Sequence, residues 1–111
     1  MDFENVRRAA VVIKVKTPLS DWLKSMDPES PQPDLDLTKE IYLVEDFETE
    51  DDLKKWLKKN FDLIFKHQLN NWYTDESLWV KNRNFRMFEE WFDYSFYPMI
   101  WDTLSEDIDK D

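Results

Sequence analysis

No position of the chain is glycine, over 111 residues. Loops that cradle phosphate need glycine so that backbone amides can close on an anion. The dinucleotide fingerprint, the P-loop and the strained elbow of serine hydrolases therefore have no candidate segment. The calcium loop of EF-hands loses its sharp-turn glycine and goes with them. Cysteine is absent too, which leaves disulfides, thiolate zinc sites and cysteine nucleophiles without a residue. This usage fits a reducing compartment, and a cytoplasmic protein is expected.

What the chain has in quantity is aromatic rings. Six Trp, eight Phe and four Tyr supply the core, each ring burying about 150–250 Å² when enclosed. The length suits one domain over residues 1–111. No apolar run approaches the roughly 20 residues that span a bilayer. Arg7-Arg8 ahead of Ala9-Ala10-Val11-Val12-Ile13 has the outline of an export signal, but Lys14 ends the run after five residues. It reads as a strand.

Net charge is −10, which opposes general affinity for nucleic acid or anionic lipid, so neither is expected as a partner. The charge falls in blocks: residues 1–52 carry −8, residues 53–86 carry +5 and residues 87–111 carry −7. Such runs usually cover solvated faces and let segments attract one another in the fold.

Alternation over residues 9–16 predicts a strand with Val11, Ile13 and Val15 on one face. Thr17-Pro18 then starts a helix to about Met26, with Leu19, Trp22 and Leu23 inward. Residues 27–37, with three prolines, read as a mobile loop. A second strand follows at 39–45, Ile41 and Leu43 lying opposite Tyr42 and Val44. A strand, a helix and a strand in this order suggest a βαβ start, right-handed if parallel, with antiparallel pairing also open. Two strands are marginal as a sheet, so either a third short strand forms, near Leu78-Trp79-Val80, or helices cover the sheet closely.

Thr49 and Asp52 form a capping-box-like start to a helix over about 50–72. A helical turn capped by Thr74 is expected over 74–80. A last helix begins near Asn84, with Phe85, Phe88, Phe92, Phe96 and Met99 on one stripe and Pro98 interrupting it. The acidic end, residues 105–111, reads as frayed. The fold class is α+β: a small sheet of two or three strands against three to four helices, helix-rich in its C-terminal half.

Candidate chemistry is sparse. His67, the one histidine, has Leu63, Ile64, Asn70 and Asn71 as helical neighbours and no carboxylate to orient it. Carboxylates pair at four-residue spacing, Glu89 with Asp93 and Asp102 with Glu106, without the Glu-x-x-His repeats of di-iron helices. No metal and no cofactor are expected.

Residues 72–101 hold eleven of the aromatics, and a second helical face would carry Trp91, Tyr94 and Trp101, either buried against the sheet and the first helix or meeting a partner or a second copy of the chain. With Trp79, Arg83 and Arg86 these are the candidate partner-binding residues, since Trp, Tyr and Arg dominate binding hot spots. Asn70, Asn71, Tyr73 and Arg83 are the polar groups available to an aromatic pocket. The segments AAVVIKVKTPLSDW, NNWYTDESLW and FEEWFDYSF together resemble a family of small uncharacterised bacterial proteins. That resemblance implies a bacterial cytoplasmic protein and carries over no functional residue.

The expected function is a non-catalytic interaction protein, an acidic inhibitor, immunity-like protein or regulatory subunit, binding another protein or a second copy of itself. A small-molecule-binding protein or enzyme with an aromatic pocket and Asp, Glu or Tyr acid–base groups is the alternative. A homodimeric scaffold is the third reading.

Overall fold

The computed structural model describes residues 3–111, so the first two residues of the expected 1–111 domain lie outside it. Strand β1 (Glu4–Val6) leads into β2 (Ala9–Val15), then helix α1 (Thr17–Met26), strand β3 (Lys39–Val44) and helix α2 (Glu50–Asn70). A 3-10 turn (Glu76–Leu78), helix α3 (Phe85–Trp91), strand β4 (Phe92–Tyr97) and strand β5 (Ile100–Asp102) complete the chain. The class is α+β.

β2 is the axis of the fold. Its alternation puts Ala9, Val11, Ile13 and Val15 on one buried face. β3 and β4 flank it in a three-stranded sheet, both antiparallel, so that Val11 lies between Tyr42 and Phe96, and Ile13 between Glu40 and Tyr94. The expected β–α–β order is present, and β3 returns antiparallel beside β2 rather than by a parallel crossover. The helices close over the buried face, contributing Leu19, Leu23, Leu53, Leu57, Ile64, Phe65, Leu69 and Phe88 to one core.

Two expectations are corrected. The last helix stops at Trp91, and residues 92–97 form the third strand of the sheet. Phe85, Phe88, Phe92 and Phe96 fit a helical period, but Phe92, Tyr94 and Phe96 also fit a period of two. Aromatic β-propensity and the waiting apolar edge of β2 decide for the strand. The second correction follows: Leu78 lies in a 3-10 turn, capped by Asp75 rather than Thr74, and no strand forms there.

β1 and β5, three residues each, pair antiparallel and prolong β2 and β4 beyond a break. Between the Ala10–Tyr97 and Val6–Ile100 pairs, three residues intervene on one strand and two on the other. This is a bulge. Pro98 has no N–H to give to the ladder there, and Arg8 N closes a tight turn onto Val6 O at 2.8 Å. The resulting ribbon packs chiefly on itself. The Cα atoms span 50 × 27 × 24 Å with a radius of gyration of 16.0 Å, against about 13 Å for a compact chain of this length.

The chain turns without glycine by using aspartate. Asp27, Asp34, Asp75 and Asp102 each accept, on Oδ1, the N–H two residues on, at 2.8–3.1 Å. α1 ends on an extended residue, α2 on an αR residue, and α3 runs straight into β4; none uses a left-handed cap. Among the described residues the one positive φ is that of Asn82, at 57°, and asparagine tolerates this region best after glycine.

The core is an aromatic stack centred on Phe65. Its ring centroid lies 5.2 Å from Phe92, 5.5 Å from Trp91 and 6.2 Å from Phe88, which joins α2, α3 and β4. Phe65→Ala should cost about 3–5 kcal/mol in urea unfolding, while Leu37→Ala in the exposed 27–37 loop should stay within about 0.5 kcal/mol. Asn82→Val should lose about 1–2 kcal/mol in the same assay and Asn82→Gly should lose nothing, because only the former opposes a positive φ.

Candidate interaction surface

Most of the sequence-predicted binding residues are consumed by the fold. Trp79 is buried, and its Nε1 donates to Tyr73 O at 2.7 Å. Trp91 ends α3 and packs between Trp22 and Phe65. Tyr94 lies on the helix-covered face of β4 and donates its hydroxyl proton to Glu89 Oε2 at 2.8 Å. Burial and that carboxylate hold the phenol above its usual range. Arg83 reaches Asp62 Oδ1 at 2.7 Å, donates to Val80 O at 2.8 Å and lies over the Phe65 ring. Its hydrogen bond holds the Asp62 carboxyl below the usual carboxylate range. Arg86 is exposed and pairs along its helix with Glu90. Trp101 is exposed on β5.

The residues offered for an aromatic pocket do not converge. Asn71 bonds Glu40 across to β3, Tyr73 packs on Trp22, and Arg83 is held by Asp62. Two clefts mix charge with apolar surface, the first through Val15, Pro18 and Leu35. One, of about 650 Å³, lies where β2 enters α1 and has Lys14 and Lys16 paired with Asp36 and Asp93. Another, of about 600 Å³, holds Asp62, Lys66, Lys81 and Arg83 with Trp79 as its aromatic residue. Among the described residues no three His, Asp or Glu side chains are placed to share a metal ion.

His67 finds its partner outside its own helix. Its Nδ1 lies 2.7 Å from Tyr42 Oη, and Gln68 Nε2 donates to the same oxygen at 2.9 Å. The phenol accepts from Gln68, and it donates to the imidazole when Nδ1 carries no proton. This polar clasp fastens α2 beneath β3, with Gln68 fully buried.

The remaining surface has another character. Tyr97, Met99 and Trp101 occupy alternate positions from β4 into β5 and are 53, 59 and 54 % exposed. Tyr97 shares a cross-strand row with Ala10 and Leu43, and Ile41 occupies the next row with Val12 and Ser95. The helix-free face of the sheet is thus apolar toward the ribbon. It turns charged at its far end, where Lys39, Lys14 and Asp93 form a row. Sequence reasoning named Trp101 from this surface and missed Tyr97 and Met99, because the supposed helix gave them other faces. Their alternation with Phe96 and Ile100 was the available signal.

No protein-family model matches the chain, and comparison with curated proteins and with solved structures gives no significant match. Among the described residues no helix is long and apolar enough to cross a membrane.

Burial pushes the Tyr42 phenol up to about 12, the Gln68 hydrogen bond opposing and the Glu40 charge adding. The unfolded value is near 10, so this contribution to stability is intact below pH 10 and is lost as pH rises toward 12. Partial exposure of the ring moderates its size. The urea midpoint should fall less steeply between pH 10 and 12 in Tyr42→Phe than in wild type; equal slopes would contradict the burial of the phenol.

Proposed function

We propose that the chain is a non-catalytic, acidic interaction protein that docks another protein on its ribbon and the adjoining helix-free sheet face. The observation that carries this reading is the run of Tyr97, Met99 and Trp101, each more than half exposed, at the end of β4, in the link after it and on β5, where the ribbon packs chiefly on itself. Exposed apolar residues are ordinary singly, but a contiguous set rimmed by charge marks a binding surface. Trp and Tyr are also the side chains that anchor such surfaces.

The charge suggests the partner's character. A chain with a net charge of −10 is steered toward a basic protein and away from acidic ones. The apolar ribbon then supplies contact after encounter. This is the behaviour of an inhibitor, immunity-like protein or regulatory subunit acting in the cytoplasm, where a chain without cysteine loses nothing to reduction.

The test is capture of the partner from native extract at low salt by tagged wild type, Trp101→Asp and Leu37→Asp, each verified as folded by circular dichroism. One stoichiometric partner should come with wild type and Leu37→Asp, leave as salt rises, and be absent with Trp101→Asp. Equal capture by Trp101→Asp, or no partner with folded wild type, overturns the reading.

A further inference from the structure

We infer that strand β3 is the interface between two copies of this chain, joined edge to edge about a two-fold axis at Tyr42. The inference uses the opposite edge of the sheet from the ribbon and does not depend on it.

Among the described residues β3 pairs with β2 alone, so its outer edge is unpaired. It contains neither proline nor a bulge, and the middle of its exposed face is apolar where protected edges carry charge. Alternation places Lys39, Ile41 and Leu43 on the helix-free side, and Glu45 follows directly after the strand's end; all four are exposed, with Ile41 at 69 % and Leu43 at 48 %. Glu40, Tyr42 and Val44 turn toward the helices.

This segment is complementary to itself. Set antiparallel to a second copy with Tyr42 opposite Tyr42, it brings Ile41 against Leu43 of the second copy and Lys39 against Glu45. The symmetry repeats both pairs. Cross-strand partners of this kind are in contact distance and add to the backbone ladder. A register moved by two residues loses the ion pairs, and one moved by a single residue turns the apolar pairs to opposite faces.

A second observation lies under the same edge. Leu63 is 65 % exposed on α2, one turn before His67, whose ring touches Tyr42 of β3. It therefore lies on the same flank of α2 as His67. A two-fold axis through Tyr42 brings this flank toward its copy, so one operation covers Ile41, Leu43 and Leu63 together. The product is a continuous six-stranded sheet with the ribbons at its two far ends.

Sedimentation equilibrium on the full chain at low salt tests this with Lys39→Glu, Glu45→Lys, the double reversal, Leu43→Lys and Trp101→Asp. Each is checked for wild-type helicity and melting. Wild type should dimerise. Each single reversal opposes two like pairs across the axis and should weaken the dimer by about tenfold or more. The double reversal should restore it, Leu43→Lys should leave monomer, and Trp101→Asp should leave the dimer unchanged. A wild type that stays monomeric, including one whose β3 edge accepts only an extended segment of some other protein, overturns the inference. So does a dimer indifferent to the single reversals, or one that the double reversal fails to restore.

Discussion

Every helix in this protein is held in place by the need to cover one face of strand β2. Ala9, Val11, Ile13 and Val15 are inaccessible to water, and a strand can hide such a face only if something is packed on it. β3 and β4 complete the backbone bonding on either side, and their inward residues extend the apolar surface. α2 and α3 meet over it through Phe65, Phe88 and Phe92, whose mutual edge and tilted contacts suit aromatic quadrupoles. The Tyr42–His67–Gln68 clasp and the Arg83–Asp62 pair then fix the two flanks of α2. Both sit where the helix faces meet partly accessible surface, so their polar atoms remain satisfied.

The absence of glycine shapes how these elements are joined. Left-handed helix caps are absent, α3 entering β4 directly, and turns close on aspartate side chains, with Asn82 the one left-handed residue among those described. Four of the chain's carboxylates are spent in this way. Part of the strongly acidic composition is therefore structural in origin, although most of the 25 acids lie outside these turns and set the long-range field.

Legibility in the sequence followed periodicity. The alternation of 9–15 and the capped, amphipathic stretch from Thr49 carry one period each, and both elements form where expected. Residues 84–102 carry two periods at once, and the choice between them depends on β2 being near enough in space to accept a partner. No local pattern contains that information. β1 and β5 are too short to have a period and exist only because each pairs with the other. Surface residues were harder still. Trp79, Trp91 and Tyr94 looked like hot-spot residues by type, yet the aromatic core absorbed them. Ile41 and Leu43 are apolar by type, and the fold leaves them exposed because the sheet has helices on one side only.

The tryptophans divide by environment: five are wholly or partly enclosed by the helix-covered core and its margins, and Trp101 is exposed on the ribbon. Fluorine NMR of the 5-fluorotryptophan-labelled protein reads this division residue by residue through the solvent isotope shift between H₂O and D₂O. Assigned by Trp101→Phe, the Trp101 resonance should show the largest isotope shift of the six, and it should be the one displaced most when the captured partner is added. A Trp101 resonance as shielded as that of Trp79, or one unmoved by a bound partner, would contradict the proposal that the ribbon is the exposed binding element.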